Sequence, residues 1–460
     1  MANSNRRIQK VNIGLVVMGA QVLLATVAGA AETVPVKITG AWTIQVDEGR
    51  VEVAGGRIVR VREAAEVHAQ PGVRVVVEDE QAPALPVYNP KAGGWMRGRR
   101  LSALITQECS ATGKLDPASV RVKSAAGDGG EVYVRGTDFE MDESWATLGR
   151  LEGGGIAADQ PVWIDYAYSP DRLDTIAVTA SGRVRYVVGE SGVGELYPPR
   201  LRPGETAIAN VWIPGGTAGL TDENLYVIEH TLASRVPEGE SVAERLLPRT
   251  LAKLRNGESV RIVSWGDSVT CGGGVNQEKE KWYQYQFLGR LRERFPQAEI
   301  ELLTAGWGGA SSRQYMDAPA GGQHDFQRDV LDPKPDLITI EFVNDAYLKG
   351  DAFVKHYDEI MAHLETTGAE VVLITPHYVR PDWMGVETQK VSDDPRPYVA
   401  SLRAYARERS IALADASRKW GLLWRQGLPY MTLLANSINH PDARGHALFA
   451  DALMELFPAE

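Results

Sequence analysis

The chain has 460 residues, 44% of them hydrophobic and 24% charged, the balance of an ordinary soluble globular protein with room for two or three hydrophobic cores. Lys and Arg number 49 against 60 Asp and Glu, a net charge of −11, which argues against nucleic acid and anionic membrane surfaces as partners because both select basic patches. Two cysteines, Cys109 and Cys271, cannot make a disulfide framework or a zinc site; they are read as free thiols, with pairing to each other the alternative.

Residues 1 to 31 have the layout of a secretory signal. Arg6, Arg7 and Lys10 give a positive start, Val11 to Ala28 is mostly apolar, and Ala28-Gly29-Ala30 is a small-residue cleavage site. An uncleaved anchor is the alternative, because the uncharged stretch is about long enough to span a bilayer. Cleavage would remove three positive charges and leave −14, with no stable membrane insertion afterwards and an exported location, periplasmic or extracellular.

From residue 32 to 235 short alternating apolar runs are punctuated by glycine and proline, for example Thr43 to Val53, Ile58 to Val61, Val73 to Val77, Ser119 to Val122, Glu131 to Val134 and Pro161 to Tyr168. Such spacing predicts a β-rich accessory region, either a sandwich or a pair of small β units. The lone histidines His68 and His230 read as structural or surface residues. Trp95 to Arg100 reads as a solvated basic hairpin, with contact to an acidic saccharide as the alternative.

Residues 236 to 460 change character. Val242 to Asn256 has helical spacing, with a kink expected at Pro248. Strands are predicted at Val260 to Val263, Glu299 to Ala305, Leu337 to Phe342, Glu370 to Thr375 and Ile411 to Ala414. Helices are predicted at about Lys279 to Arg294, Ala352 to Thr366, Tyr398 to Glu408 and Ala443 to Phe457. Strand-helix alternation of this kind means a parallel sheet covered on both faces, a three-layer α/β/α domain. Functional groups then belong at the carboxyl ends of the strands.

At those ends stand Gly266-Asp267-Ser268, Gly306-Trp307-Gly308-Gly309, Val343-Asn344-Asp345, and finally Asn439-His440-Pro441 ahead of the last helix. A nucleophile, a glycine turn, an asparagine and a histidine are the groups that acyl transfer needs. In this order they resemble the SGNH (GDSL-type) hydrolase family, whose four blocks carry Ser, Gly, Asn and His, and the resemblance covers the C-terminal half. It implies a flavodoxin-like hydrolase domain in which Ser268 is the nucleophile and a first oxyanion donor through its N–H. Gly309 gives a second N–H, Asn344 a third donor through its side chain, and His440 is the general base.

No cofactor or metal is implied by that resemblance. Thr304 and Ser437 depart from it, standing where the family usually has Asn and the catalytic Asp. The group orienting His440 is therefore open: Asn436, a backbone carbonyl or a distant carboxylate, with Asp442 close by in sequence, so the residues assign a Ser268–His440 dyad. His377 is a rival base and His446 is expected to cap or pack the last helix. Trp307, Tyr378 and Trp383 could stack on sugar rings or line the core.

The expected activity is an exported serine esterase releasing a small acyl group, most plausibly acetyl, from a carbohydrate. Two alternatives are a lipase or lysophospholipase-type esterase, and a non-catalytic carbohydrate-binding protein that kept the fold after losing the charged acid.

Overall fold

The computed structural model describes residues 34–53, 55–232 and 239–458. The proposed signal, and residues 233–238 between the two halves, lie outside the described residues. Among the described residues no helix is long and apolar enough to cross a membrane.

In the C-terminal half five strands form one sheet: β1 (Ser259–Gly266), β2 (Glu299–Gly306), β3 (Leu337–Glu341), β4 (Glu370–Ile374) and β5 (Ala412–Ala414). Their order is β2-β1-β3-β4-β5 and every pairing is parallel. The strands are apolar because both faces are covered. Side chains alternate across the sheet, so Val260 and Ile262 of β1 face one core while Val263 and Trp265 face the other.

The first core is closed by helices α1 (Val242–Leu246), α2 (Pro248–Arg255), α3 (Tyr283–Arg294) and, at the C-terminus, Ala443–Met454. The second is closed by α4 (Gly350–Glu365) and α5 (Pro397–Arg409), through Phe353, Tyr357, Ile360, Tyr398, Leu402 and Tyr405. With the intervening α6 (Ala416–Leu422), the last helix is α7. This is the three-layer arrangement, in the strand order of flavodoxin-like folds.

Pro248 does more than kink the first helix. It stops α1 and opens α2 from the N1 position, where its missing N–H costs nothing. Likewise Lys279–Lys281 forms only a 3₁₀ turn, and α3 proper begins at Tyr283.

The N-terminal half is β-rich and holds two cores, not one. Strands Thr43–Val46, Gly49–Val53, Arg57–Val61 and Ala65–His68 bury Ile44, Val46, Val51, Val59, Val61 and Val67 against Ile176, Val178, Ile208, Val211 and Ile213 of the later strands Asp171–Val178 and Thr206–Ile213. Between these two stretches the chain builds a second core on Val75–Ala82, Leu115–Lys123, Phe139–Asp142, Thr147–Arg150 and Val162–Tyr168, filled by Val122, Phe139, Met141, Leu148, Ile164 and Tyr166. A pair of β units is therefore present, the second inserted into the first. The basic block does not form a free hairpin: Arg99–Arg100 pairs with Thr147 and Leu148, and Arg97 is ion-paired with Asp142.

Both β units dock on the C-terminal half. Buried Asn210 donates through Nδ2 to the Gly427 carbonyl at 2.7 Å and accepts from the Thr175 hydroxyl at 2.6 Å. Glu229 pairs with Arg425, and the Arg444 guanidinium lies 3.8 Å from the Tyr197 ring centroid. Asn210→Ala would leave the Gly427 carbonyl and the Thr175 hydroxyl buried without partners, a loss of about 1–3 kcal/mol. Urea denaturation should record it as a lowered midpoint; an unmoved midpoint would mean this joint carries no stability.

Candidate active site

Gly266 ends β1 because nothing larger fits: a Cβ there would lie 2.1 Å from Thr270 Oγ1 and 2.3 Å from the Glu341 carbonyl. The chain turns at once, buries Asp267, and leaves Ser268 half-buried at the carboxyl edge of the sheet. Ser268 Oγ is 3.0 Å from His440 Nε2. Of the sequence-predicted residues, these two meet at hydrogen-bond distance across 172 positions of chain.

Asp267 faces inward and braces Asn344. Its Oδ2 accepts from the Asn344 backbone N–H and side-chain Nδ2, each at 3.0 Å, and its Oδ1 accepts from Val269 N–H at 3.1 Å. Burial drives the Asp267 pKa upward to about 7 against the pull of these donors. The second Asn344 amide hydrogen donates to the Ala310 carbonyl at 3.3 Å, the longer of its two side-chain bonds and the one that turning to a ligand would exchange. Gly309 adopts φ +78°, and Gly308 and Gly309 are exposed. Among the described residues no hydrogen bond engages the backbone N–H of Ser268 or of Gly309. Unengaged backbone donors beside the nucleophile are what a developing oxyanion requires.

The loop that carries Gly309 is tied to the one that carries Asn344. Buried Asp345 accepts from Ser312 N–H at 2.9 Å and from the Ser312 hydroxyl at 2.5 Å. Burial raises its pKa to about 6, with Ser312 opposing.

The histidine is set by a turn built on Asn436. Its Oδ1 accepts three backbone N–H groups, those of Ile438, Asn439 and His440, each at 2.9 Å. Asn436 is therefore not the acceptor for His440 Nδ1. Nor is Asp442, which caps α7 through Arg444 and Gly445 N–H and pairs with the Arg444 guanidinium. Ser437, in the left-handed region at φ +59°, turns its hydroxyl away to the Val193 carbonyl at 3.1 Å.

Facing Nδ1 instead is Glu108 of the N-terminal half, with Oε1 at 2.8 Å. Of the alternatives the sequence left open for orienting His440, the geometry favours the distant carboxylate, since Glu108 stands beside the imidazole. The approach lies off the N–H axis, so at rest it is a close polar contact, which becomes an ion pair once the imidazole takes up a second proton. Asn436 Nδ2 donates to the same Oε1 at 2.9 Å. Burial works to raise the Glu108 pKa, but the hydrogen bond and charge of His440, with the Asn436 amide, outweigh it and bring it down to about 2. No motif could have flagged Glu108, since its only relation to His440 is spatial.

The rival His377 is fully buried, its Nε2 is against the Asn439 carbonyl, and burial drives its pKa well below the usual value. It braces the turn and does not face the serine. Tyr378 is likewise fully buried, Trp307 packs face to face on His324, and Trp383 is 49% exposed beside Arg380, which also lies over Trp145. Both cysteines are free thiols, with burial lifting each pKa to about 11.

Residues 265–448 match the family model described as GDSL-like lipase/acylhydrolase. The C-terminal half is a GDSL-like acylhydrolase domain. Similar solved structures include a two-domain esterase active on acetylated mannans, at 21% identity and TM-score 0.38 over 47% of this chain and 53% of that one. An acetyl xylan esterase is also 21% identical, at TM-score 0.34 over 42% of this chain and 98% of that one. A lipolytic G-D-S-L family member from Veillonella parvula is 18% identical, at TM-score 0.30 over 43% and 97%. The chain spans about half the length of the two-domain esterase. No curated protein sequence matches it.

Within the GDSL-like domain, His446 backs the glycine turn that follows Ser268. Its Nδ1 accepts from Tyr283 N–H at 3.2 Å, which leaves Nε2 protonated and donating to the Gly273 carbonyl at 2.9 Å. Gly273 in turn abuts His440: a Cβ there would lie 3.0 Å from His440 Cδ2 and 2.9 Å from the Ser268 carbonyl. Gly273→Ala should therefore lower kcat by displacing the imidazole, with little change in fold; wild-type kcat would show that the turn can give way.

Burial lowers the His446 pKa from 6.5 to about 4. The unfolded chain then takes up that proton first, so stability falls as pH drops from about 6.5 towards 4, by roughly 3 kcal/mol for this one group, and levels off below. His446→Gln, which can still donate to Gly273, should remove this group's share of the pH dependence, so that its melting temperature falls less, relative to wild type, between pH 6.5 and 4; buried His377 acts in the same direction, while Asp267 and Asp345, whose pKa values burial raises, act in the opposite one. An unchanged slope would mean that His446 is not held neutral.

Proposed function

We propose that the protein is an exported serine esterase that removes a small acyl group, acetyl by preference, from a carbohydrate. The observation that carries the reading is the 3.0 Å contact between Ser268 Oγ and His440 Nε2 beside backbone donors left open at Ser268 and Gly309, with the Asn344 amide held next to them by Asp267. With Glu108 against Nδ1, the imidazole proton belongs on that nitrogen and Nε2 accepts from the serine.

Ser268 Oγ attacks the ester carbonyl while its proton passes to Nε2. The carbonyl oxygen takes the negative charge among the two N–H groups and the Asn344 amide. Collapse expels the sugar hydroxyl, which takes the proton back from Nε2, and leaves an acyl-serine. Water attacks next, gives its proton to Nε2, and the acid departs as the serine is reprotonated.

Three features favour a carbohydrate. The N-terminal segment reads as a secretory leader, β-rich units flank the site, and exposed Trp383 stands on the loop that hydrogen-bonds the His440 turn through Arg380 N–H to the Ile438 carbonyl at 2.7 Å. The binding-only reading drew on a missing acid, and the Glu108 carboxylate 2.8 Å from His440 Nδ1 weighs against it.

On p-nitrophenyl acetate, Ser268→Ala should abolish turnover with the fold intact, and Asn344→Ala should lower kcat by about 10²- to 10³-fold. Equal hydrolysis by wild type and Ser268→Ala would overturn the acyl-transfer reading. A panel of acetylated polysaccharides should release acetate with wild type; release only from long-chain lipid esters would favour the lipase alternative.

A further inference from the structure

We infer that the catalytic centre is assembled across the two halves of the chain, with Glu108 of the N-terminal β region serving as the positioning carboxylate for His440. This rests on the reading of Ser268 and His440 as an acyl-transfer pair. In the hydrolase half the nearby candidates are otherwise engaged: Asn436 Oδ1 by three backbone N–H groups, Asp442 by the α7 cap and Arg444, and Ser437 by the Val193 carbonyl. The imidazole depends on a side chain from outside its own domain.

The segment that delivers Glu108 is built for placement. Ile105–Thr106 and Cys109–Ser110 pair antiparallel, so Gln107 and Glu108 form a two-residue hairpin tip. Gln107 takes φ +50°, a conformation that a non-glycine residue holds only when its surroundings enforce it. The enforcement is visible. Thr106 Oγ1 at 3.2 Å and Cys109 Sγ at 3.0 Å both donate to the Asn436 carbonyl, and Gln107 Nε2 donates to the Gly274 carbonyl at 2.6 Å. Arg100 holds the Glu108 carbonyl from behind.

The hairpin thus grips both loops of the site, the glycine turn after Ser268 and the turn before His440. When Nε2 receives the serine proton, the imidazolium carries a charge that Glu108 meets at 2.8 Å, while the other proton stays on Nδ1. Burial opposes ionisation of Glu108, yet its pKa of about 2 keeps it anionic at neutral pH. The β region is in this sense part of the enzyme, and disturbing its seat should act on turnover before substrate binding.

The test is steady-state kinetics of the full chain on p-nitrophenyl acetate, alongside Ser268→Ala. Glu108→Gln keeps the size and an acceptor oxygen and removes only the charge. Because Glu108 is 48% exposed and solvent shares its work, kcat should fall by about 10²- to 10³-fold, less than the roughly 10⁴ lost when a buried triad Asp becomes Asn, with KM little changed. Glu108→Asp should retain more kcat than Glu108→Gln, and formate should restore part of the turnover of Glu108→Ala in proportion to its concentration.

A Glu108→Gln enzyme with wild-type kcat would overturn the inference. So would loss in all three variants with no advantage of Asp and no rescue by formate, which would mark Glu108 as structural. If Ser268→Ala is inactive while Glu108→Gln is fully active, only this inference fails. If Ser268→Ala keeps wild-type turnover, the acyl-transfer reading fails first.

Discussion

Every polar group of the Asn436 side chain, and its carbonyl, is committed, and the candidate site depends on that commitment. The side-chain oxygen gathers the N–H groups of the three residues leading into His440, the amide holds Glu108, and the main-chain carbonyl receives Thr106 and Cys109 from the other half of the protein. Asn436 is 1% exposed, so each of these bonds replaces water that cannot reach it. The turn and the interface are one network, and neither can relax alone.

The remaining groups reach the same spot by a different logic. Ser268, Gly309 and Asn344 sit at the ends of three adjacent parallel strands, β1, β2 and β3, so the sheet register brings them together without long side chains. Close backbone approach then refines the placement. Gly266 lets the β1 turn pass against the Glu341 carbonyl, and Gly273 lets the glycine loop pass against the imidazole. Buried Asp267 and Asp345 serve as struts between loops, which explains why acids with upward-shifted pKa values lie behind the site without touching a substrate.

The N-terminal half brings shape as well as a carboxylate. Its two cores bury their own apolar faces, so the contacts with the hydrolase half are mostly polar and local: Asn210 to Gly427, Glu229 to Arg425, Ser437 to Val193, and the hairpin tip. Polar joints of this kind give register more than adhesion. Register is what the imidazole needs.

Local sequence determined most of the hydrolase domain. The apolar runs that become β1 to β5 and the helical spacing between them carry their own periodicity, and the Ser, Gly, Asn and His blocks fall at strand ends where a parallel sheet exposes them. Asp267 was legible as a turn residue but not as a brace, because its partner Asn344 is 77 residues away. The two β cores of the N-terminal half were blurred, since short strands of equal period do not say which of them share a core. The partner of His440 was decided by tertiary structure alone. Glu108 is an ordinary acid in an ordinary hairpin, and only the docking of one half on the other brings its carboxylate within 2.8 Å of an imidazole that its own domain leaves without an anion.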